Sequence, residues 1–325
     1  MTIANRCAVL GKPIAHSLSP VLHNAAYRAL GLTDWAYDKH EVGEGDLDAF
    51  LKGLDPTWRG LSLTMPLKKT IQPYGTPANV WARELKVANT AVFDWSAATH
   101  DDPAWPNGRP GVKLYNTDVV GIQLAFDHAN RELGVHHADD GSGRALIIGN
   151  GNTATSAAAA CMMMREIGRI TVASRHPGRD LGLGHASRIL HGDDRRPYDE
   201  IDLTDDGAVI GAARRATYVI NTIPGHAADG LAGVIGASGV TFGGLLLDVV
   251  YDPRPTKLMQ AWRSRGGHAI GGEEMLLYQA VIQVLLMTGV WDGDPPSDAD
   301  RRLQDVTTDD DQLEMAMRRA LEEAL

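Results

Sequence analysis

The sequence predicts an α/β protein of two domains, and three observations carry that prediction. Short apolar runs alternate with segments of helical periodicity along the chain, the pattern of parallel strands covered by helices. The chain has 325 residues, enough for two domains of roughly 150 residues each. A second strand-to-helix series opens at mid-chain with glycines at 149 and 151, where a new sheet is expected to start.

Taken in order, "RCAVLG" (6–11) reads as a strand. "SPVLHNAAYRALG" (19–31) reads as a helix with Ser19 as N-cap, Pro20 in the first helical position and Gly31 as its stop. Val21, Leu22, Ala25, Ala26, Ala29 and Leu30 share its apolar face. Then come the strand "WAYDKHEV", a helix near "GDLDAFLKGL", the strand "GLSLTM", a helix near "PANVWAREL" and the strand "NTAVFDW". These complete one domain near residue 115. In "GLSLTMPLKK" the alternating Leu61, Leu63 and Met65 run into Pro66 and then into Lys68 and Lys69. Desolvating an ammonium at the end of an apolar strand is costly, so a lysine pair there is ordinarily solvated. Residues 96–111, rich in Pro, Gly and Asp, read as a hairpin loop. The helix that follows carries Asp118 near its N-terminus, where the helix dipole favours a carboxylate; capping alone accounts for it.

The second series is more specific. "GRALIIGNGNTATSAAAACMMMREIG" sets a short strand, Ala145 to Ile148, against Gly149, Gly151 and an Ala-rich helix. That is the strand–turn–helix of a Rossmann-like dinucleotide domain, with Gly149, Gly151, Asn152 and Thr153 in the turn and small Ala154 packing helix on strand. The next strand ends in "ASRHPGR". An NAD site places an acid there for the ribose hydroxyls; this chain offers Ser174, Arg175 and Arg179 instead. Arginine suits a 2′-phosphate, so NADP is the expected cofactor, with Arg175 the better candidate of the two. Two further strands, in "TYVINTIPG" and "GLLLDVVY", point their C-terminal ends at the ligand crevice. A helix starting at Pro255 and stopping at Gly266 follows, and then a strongly apolar helix in "EEMLLYQAVIQVLLMTGVW", where Gln279 is the polar exception.

Composition narrows the classes of function. Net charge is −10 and no basic run occurs, which disfavours nucleic acid as a partner. Cys7 and Cys161 are the only cysteines and form no CxxC pairing, so neither a disulfide framework nor a thiolate metal site is expected. His136, His137, Asp139 and Asp140 read as a solvated loop, and no metal is expected. No apolar run suits a signal peptide or a membrane span, so a cytoplasmic protein is expected. The acidic-to-basic tail "DDDQLEMAMRRALEEAL" reads as a surface or partner-contacting helix.

In order along residues 6 to about 290, "GKPIAHSLSP", "GLSLTMPLK", "VANT", "YNTDVVG", the glycine turn, "SR", "VVYDPRPTKL" and "GGEEMLLYQA" resemble the shikimate dehydrogenase family. The resemblance implies a discontinuous substrate domain, residues 1–117 plus 272–325, around an NADP-binding domain, 118–271. It implies reversible reduction of 3-dehydroshikimate to shikimate by a monomer or homodimer. Ser17 and Ser19 would bind the substrate carboxylate with Tyr251 nearby, while Thr64, Asn89 and Gln279 would bind hydroxyls. Lys68 and Asp118 would handle the proton, Lys69 would face solvent, and Gly272 would join the glycine turn at the cofactor.

The chain departs from the family pattern in two motifs. Ser62 stands where many members have asparagine, and Asn152 where a glycine is usual in the turn. An NAD-dependent quinate/shikimate dehydrogenase and a non-catalytic NADP-binding regulatory module are the competing readings; Arg175 speaks against the first, and Lys68 with Asp118 against the second.

Overall fold

A computed structural model describes residues 2–178, 198–291 and 311–325. The chain forms two compact units, Met1–Thr117 with Leu277–Leu325, and Asp118–Leu276. Both are α/β, as the alternation of strand and helix patterns requires.

The first unit is built on strands β1 (Asn5–Gly11), β2 (Trp35–Glu41), β3 (Trp58–Leu63), β4 (Thr76–Pro77), β5 (Thr90–Thr99) and β6 (Arg109–Tyr115), in the order β2-β1-β3-β5-β6-β4. β1 is parallel to both β2 and β3, whereas β5 runs antiparallel to β3 and β6. Ser62 pairs with Thr90 and Thr90 with Tyr115, so the end of β3, the start of β5 and the end of β6 share one sheet edge. Beneath the sheet, Leu10, Leu47, Leu51, Leu61, Leu63, Leu67, Ile71 and Leu114 form a buried core. The helix α1 (Ser19–Ala29) shows a one-residue correction: Leu18 is its N-cap, and Ser19 is the first helical residue with no side-chain cap. Further on, α2 (Leu47–Lys52) and α4 (Val80–Leu85) form where the sequence predicts helices, and the short α3 (Leu67–Thr70) follows β3.

The second unit begins with α5 (Asp118–Leu133). Its strands β7 (Gly143–Ile148), β8 (Ile167–Ser174), β9 (Tyr198–Asp202), β10 (Tyr218–Asn221), β11 (Leu245–Asp248) and β12 (His268–Gly271) are all parallel. Their order, β12-β11-β10-β7-β8-β9, is that of a doubly wound sheet, with the reversal between β7 and β10. In α6 (Asn152–Met163) Ala154, Ala157, Ala158, Ala159 and Ala160 have no exposed surface, so the helix lies close on the sheet. Next come α7 (Asp206–Arg215), α8 (Asp229–Ala237) and α9 (Lys257–Ser264). The N-cap of α9 is Thr256, whose hydroxyl accepts from the Met259 N–H at 3.2 Å; Pro255 lies just outside the helix it was expected to open.

Helix α10 (Gly272–Thr288) is the apolar segment, and the unit boundary falls inside it, between Leu276 and Leu277. The last helix, α11 (Asp311–Ala324), packs on α1 of the same chain and buries Leu313, Met317 and Leu321. This tail packs within its own unit through one face and exposes the other, as a surface helix does. Among the described residues no helix is long and apolar enough to cross a membrane.

Candidate active site

In the first unit the parallel and antiparallel strands deliver the predicted residues to one sheet edge. Thr64 follows β3, and its N–H donates to the Leu10 carbonyl at 2.9 Å. A Cβ on Gly11 would lie 2.3 Å from Thr64 Cγ2, so glycine at the end of β1 is what lets the two strand ends meet. Beyond Gly11, the Ser17 hydroxyl accepts from the Ser19 N–H at 3.4 Å, the first amide of α1. Thus Ser17 is the residue turned to the helix start, while Ser19 is buried. Lys68 sits half-buried on α3, not on the strand itself, and Lys69 beside it is exposed. The Lys68 carbonyl accepts from Ala88 N–H at 2.9 Å, which fixes α3 against the residue preceding Asn89.

Asn89 is buried at this edge. Its backbone carbonyl accepts from Leu63 N–H at 2.7 Å and its N–H donates to the Tyr115 carbonyl at 3.0 Å, bridging β3 and β6. Its side-chain Nδ2 donates to Thr117 Oγ1 at 2.9 Å and to Gln279 Oε1 at 3.2 Å. Its Oδ1 accepts from the Thr117 N–H at 2.9 Å and from Thr90 Oγ1 at 2.9 Å. Both Asn89 and Gln279 are buried and hydrogen-bonded, as polar groups inside apolar surroundings must be.

Gln279 is not the sole polar residue of α10. Gln283, one turn later and fully buried, donates to Thr90 Oγ1 at 2.9 Å and to the Asn89 carbonyl at 3.3 Å. The i, i+4 repeat of glutamine in an apolar helix is the signal that would have found it. Ser62 donates to Gln283 Oε1 at 2.8 Å and accepts from Tyr37 Oη at 2.5 Å. Nothing in the local sequence marks Tyr37, while Thr90 and Thr117 sit inside the motifs "VANT" and "YNTDVVG" as β-branched residues whose ordinary place in and beside strands hides the purpose of their hydroxyls.

In the second unit the glycine turn leaves β7 at the sheet's reversal point. Gly149 has φ +110°, and a Cβ there would lie 2.4 Å from Thr222 Oγ1, so both backbone conformation and close approach demand glycine. At Gly151 a Cβ would meet no protein atom within 4 Å, so its surface stays open at the start of α6. Asn152 and Thr153 are half-buried in the first turn of α6. Asn150 donates from Nδ2 to the His176 carbonyl at 3.3 Å and ties the turn to the loop after β8. Ser174, the last residue of β8, is buried, and Arg175, the first residue after it, is exposed. Arg179 lies outside the described residues.

Asp118, the first residue of α5, is buried. Tyr251 follows β11, and burial, then the charge of Asp252, raises its hydroxyl pKa. That loop is held by Asp248, which accepts from Asn221 Nδ2 at 2.8 Å, Thr256 Oγ1 at 2.6 Å and Val250 N–H at 3.2 Å. Burial raises the Asp248 pKa against the lowering effect of those donors. At Gly272 a Cβ would lie 2.1 Å from the Val249 carbonyl oxygen, a packing reason for glycine there.

Residues 9–91 match the family described as "Shikimate dehydrogenase substrate binding domain". A relative named shikimate dehydrogenase (NADP(+)), from Methanothrix thermoacetophila, is 33% identical over 284 residues, covering 87% of this chain and 91% of its own. One of the same name from Rubrobacter xylanophilus is 31% identical over 298 residues, 90% of this chain and 93% of its own. Among solved structures, the Mycobacterium tuberculosis shikimate dehydrogenase is similar with a TM-score of 0.71 and 33% identity, covering 97% of this chain and 99% of that one. The Thermus thermophilus enzyme in complex with NADP(H) and shikimate is similar with a TM-score of 0.64 and 25% identity, covering 97% and 99%.

Proposed function

The chain belongs to the shikimate dehydrogenase family, and we propose that it interconverts 3-dehydroshikimate and shikimate with NADP, using the residues its two sheets carry to their edges. The observation that supports this most is the buried Asn89–Thr117–Gln279 set, at the same sheet edge as Thr64 and Lys68. Such a rigid polar cluster suits a polyhydroxylated ring acid better than an apolar ligand.

The second unit fits the cofactor. The open Gly151, the start of α6 and the exposed Arg175 supply, in turn, room for a pyrophosphate, backbone N–H donors and a cation for a 2′-phosphate. Bound NADP supplies the hydride acceptor or donor. We assign Gly149, Gly151, Asn152, Thr153, Ser174, Arg175 and Gly272 to cofactor binding. Arg175 in place of an acid favours NADP over NAD.

On the substrate side, Ser17 and Ser19 at the start of α1, with Tyr251, are assigned to the carboxylate, and Thr64, Asn89 and Gln279 to ring hydroxyls. Lys68 and Asp118 are assigned to holding and moving the proton at the carbinol oxygen. The reading also takes the enzyme to be cytoplasmic and a monomer or homodimer.

General acid–base groups contribute about 10²- to 10⁴-fold, so Lys68→Ala is expected to lower kcat by roughly 10³-fold with KM for shikimate within a few-fold, and Lys69→Ala to leave both unchanged. Steady-state kinetics with shikimate and NADP decide it, and full turnover by Lys68→Ala would move the proton-handling role elsewhere.

A further inference from the structure

The buried polar contacts of the first unit form one directed chain. Tyr37 Oη donates to Ser62 Oγ at 2.5 Å, and Ser62 donates in turn to Gln283 Oε1 at 2.8 Å. With its carbonyl facing Ser62, Gln283 points its amide nitrogen at Thr90 Oγ1, 2.9 Å away, and the Thr90 proton then goes to Asn89 Oδ1 at 2.9 Å. Asn89 consequently turns its Nδ2 to Gln279 Oε1 at 3.2 Å. A hydroxyl has one proton to give, and an amide offers a carbonyl at one end and an NH₂ at the other. Each orientation along the chain is therefore consistent with its neighbours.

Two backbone groups enforce the same sense. The Asn89 carbonyl accepts from Gln283 Nε2 at 3.3 Å, and the Thr117 N–H donates to Asn89 Oδ1 at 2.9 Å. Neither group can reverse its role, so both ends of the chain agree. Tyr37, Ser62, Thr90, Asn89 and Gln283 are all buried away from bulk solvent. His23 stacks on Tyr37 with ring centroids 3.8 Å apart and holds the phenol in place.

We propose that Tyr37, Ser62, Gln283 and Thr90 act as positioning residues, a relay that reinforces the amide orientation the Thr117 N–H gives Asn89 and, through it, which end of Gln279 faces the substrate. In this chain the serine that replaces the family's asparagine is thus a relay member rather than a lost contact. The consequence for substrate binding rests on the assignment of Asn89 and Gln279 to ring hydroxyls.

The test reads the relay and its consequence separately. In isotope-labelled protein the Asn89 side-chain NH₂ signals are identified by their loss in Asn89→Ala. Tyr37→Phe and Ser62→Ala are expected to move those signals. They are also expected to raise KM for shikimate about 5- to 10-fold, with kcat within about 2-fold and KM for NADP unchanged, the effect of one lost buried hydrogen bond. Ser62→Thr, which keeps the hydroxyl, is expected to restore both readouts. On an Asn89→Ala background, Ser62→Ala is expected to add nothing to KM. Asn89 signals unmoved by both variants would overturn the relay, as would an undiminished KM effect on the Asn89→Ala background. If the signals move but Asn89→Ala leaves the shikimate KM unchanged, the relay is supported and the substrate role of Asn89 is overturned. Should Ser62→Ala fail to fold, Tyr37→Phe alone decides, since it removes one buried oxygen and keeps the ring.

Discussion

His23 lies on α1 with no exposed surface, and its Nδ1 is 2.9 Å from the Ser19 carbonyl oxygen. The carbonyl only accepts, so Nδ1 carries the hydrogen; it is burial, not this bond, that favours the neutral ring. Burial pushes the imidazole pKa down from the ordinary 6.5 to about 4, against a smaller upward pull from the Ser19 bond. The unfolded chain therefore binds this proton first as pH falls, so stability is lost from about pH 6.5 down towards pH 4. Between about pH 7 and pH 4.5 this residue alone is expected to remove roughly 2.5 kcal/mol, a component that His23→Gln would not show in urea unfolding at the two pH values. At this scale the sequence was informative where a residue broke its local pattern. Gln279 stands out in an apolar helix, and glycine at 149 announces a positive φ. Tyr37 and Thr90 do not stand out, because a strand accepts a tyrosine or a threonine for its own reasons and hides the hydroxyl's purpose. Asn89 and Lys68 were legible only through the resemblance of their motifs to a family.

At the scale of elements, α11 shows how a segment's own period differs from its place. Leu313, Met317 and Leu321 recur every four residues and are buried where the helix packs on α1, while Arg319 and Glu323 pair at 3.0 Å on the exposed side. Tyr278 of α10 donates from Oη to Glu314 Oε1 at 3.0 Å, and Arg318 donates to that same carboxylate oxygen at 2.9 Å. Truncating a fully buried methionine costs about 2–5 kcal/mol, whereas an exposed ion pair contributes at most about 1 kcal/mol. Met317→Ala is thus expected to lower the unfolding free energy by roughly 3 kcal/mol and Arg319→Ala by under about 0.5 kcal/mol, measured by denaturant titration. The amphipathic period showed that this helix has a face to bury, but not that α1 would cover it, since complementarity between distant segments is written in neither alone. Most expected element ends lie within two or three residues of the observed ones, but β5 continues to Thr99 and β6 begins at Arg109, so strands cover both ends of the 96–111 segment read as a hairpin loop. Ser19 and Pro255 each lie one residue from the observed cap because adjacent Ser, Thr and Pro all signal a helix start.

For the molecule as a whole, the alternation of patterns foretold two sheets, and the glycine turn foretold the doubly wound order of the second. The mixed order of the first was not foretold. It arises from a hairpin, β5 with β6, whose antiparallel return carries Asn89 and Thr117 to the edge where Thr64 and Lys68 leave β3 and α3. Each unit has its own buried core, and the chain passes from one to the other after Thr117 and again after Leu276. If the division of labour follows the units, each ligand should protect its own sheet edge from local opening. A ligand at 100 times its Kd slows exchange through openings that abolish binding by about 100-fold. Shikimate alone is expected to slow amide exchange at Asn89 and Thr117, whose N–H groups bond to the Tyr115 carbonyl and to Asn89 Oδ1. NADP alone is expected to slow it at Gly149 and Thr155, whose N–H groups bond to the Ala173 and Gly151 carbonyls. Hydrogen exchange on the two binary complexes, in which no turnover occurs, measures both sets at once. Protection of the Asn89 set by NADP and of the glycine turn by shikimate would reverse the assignment, because a ligand can only suppress openings of the structure that binds it.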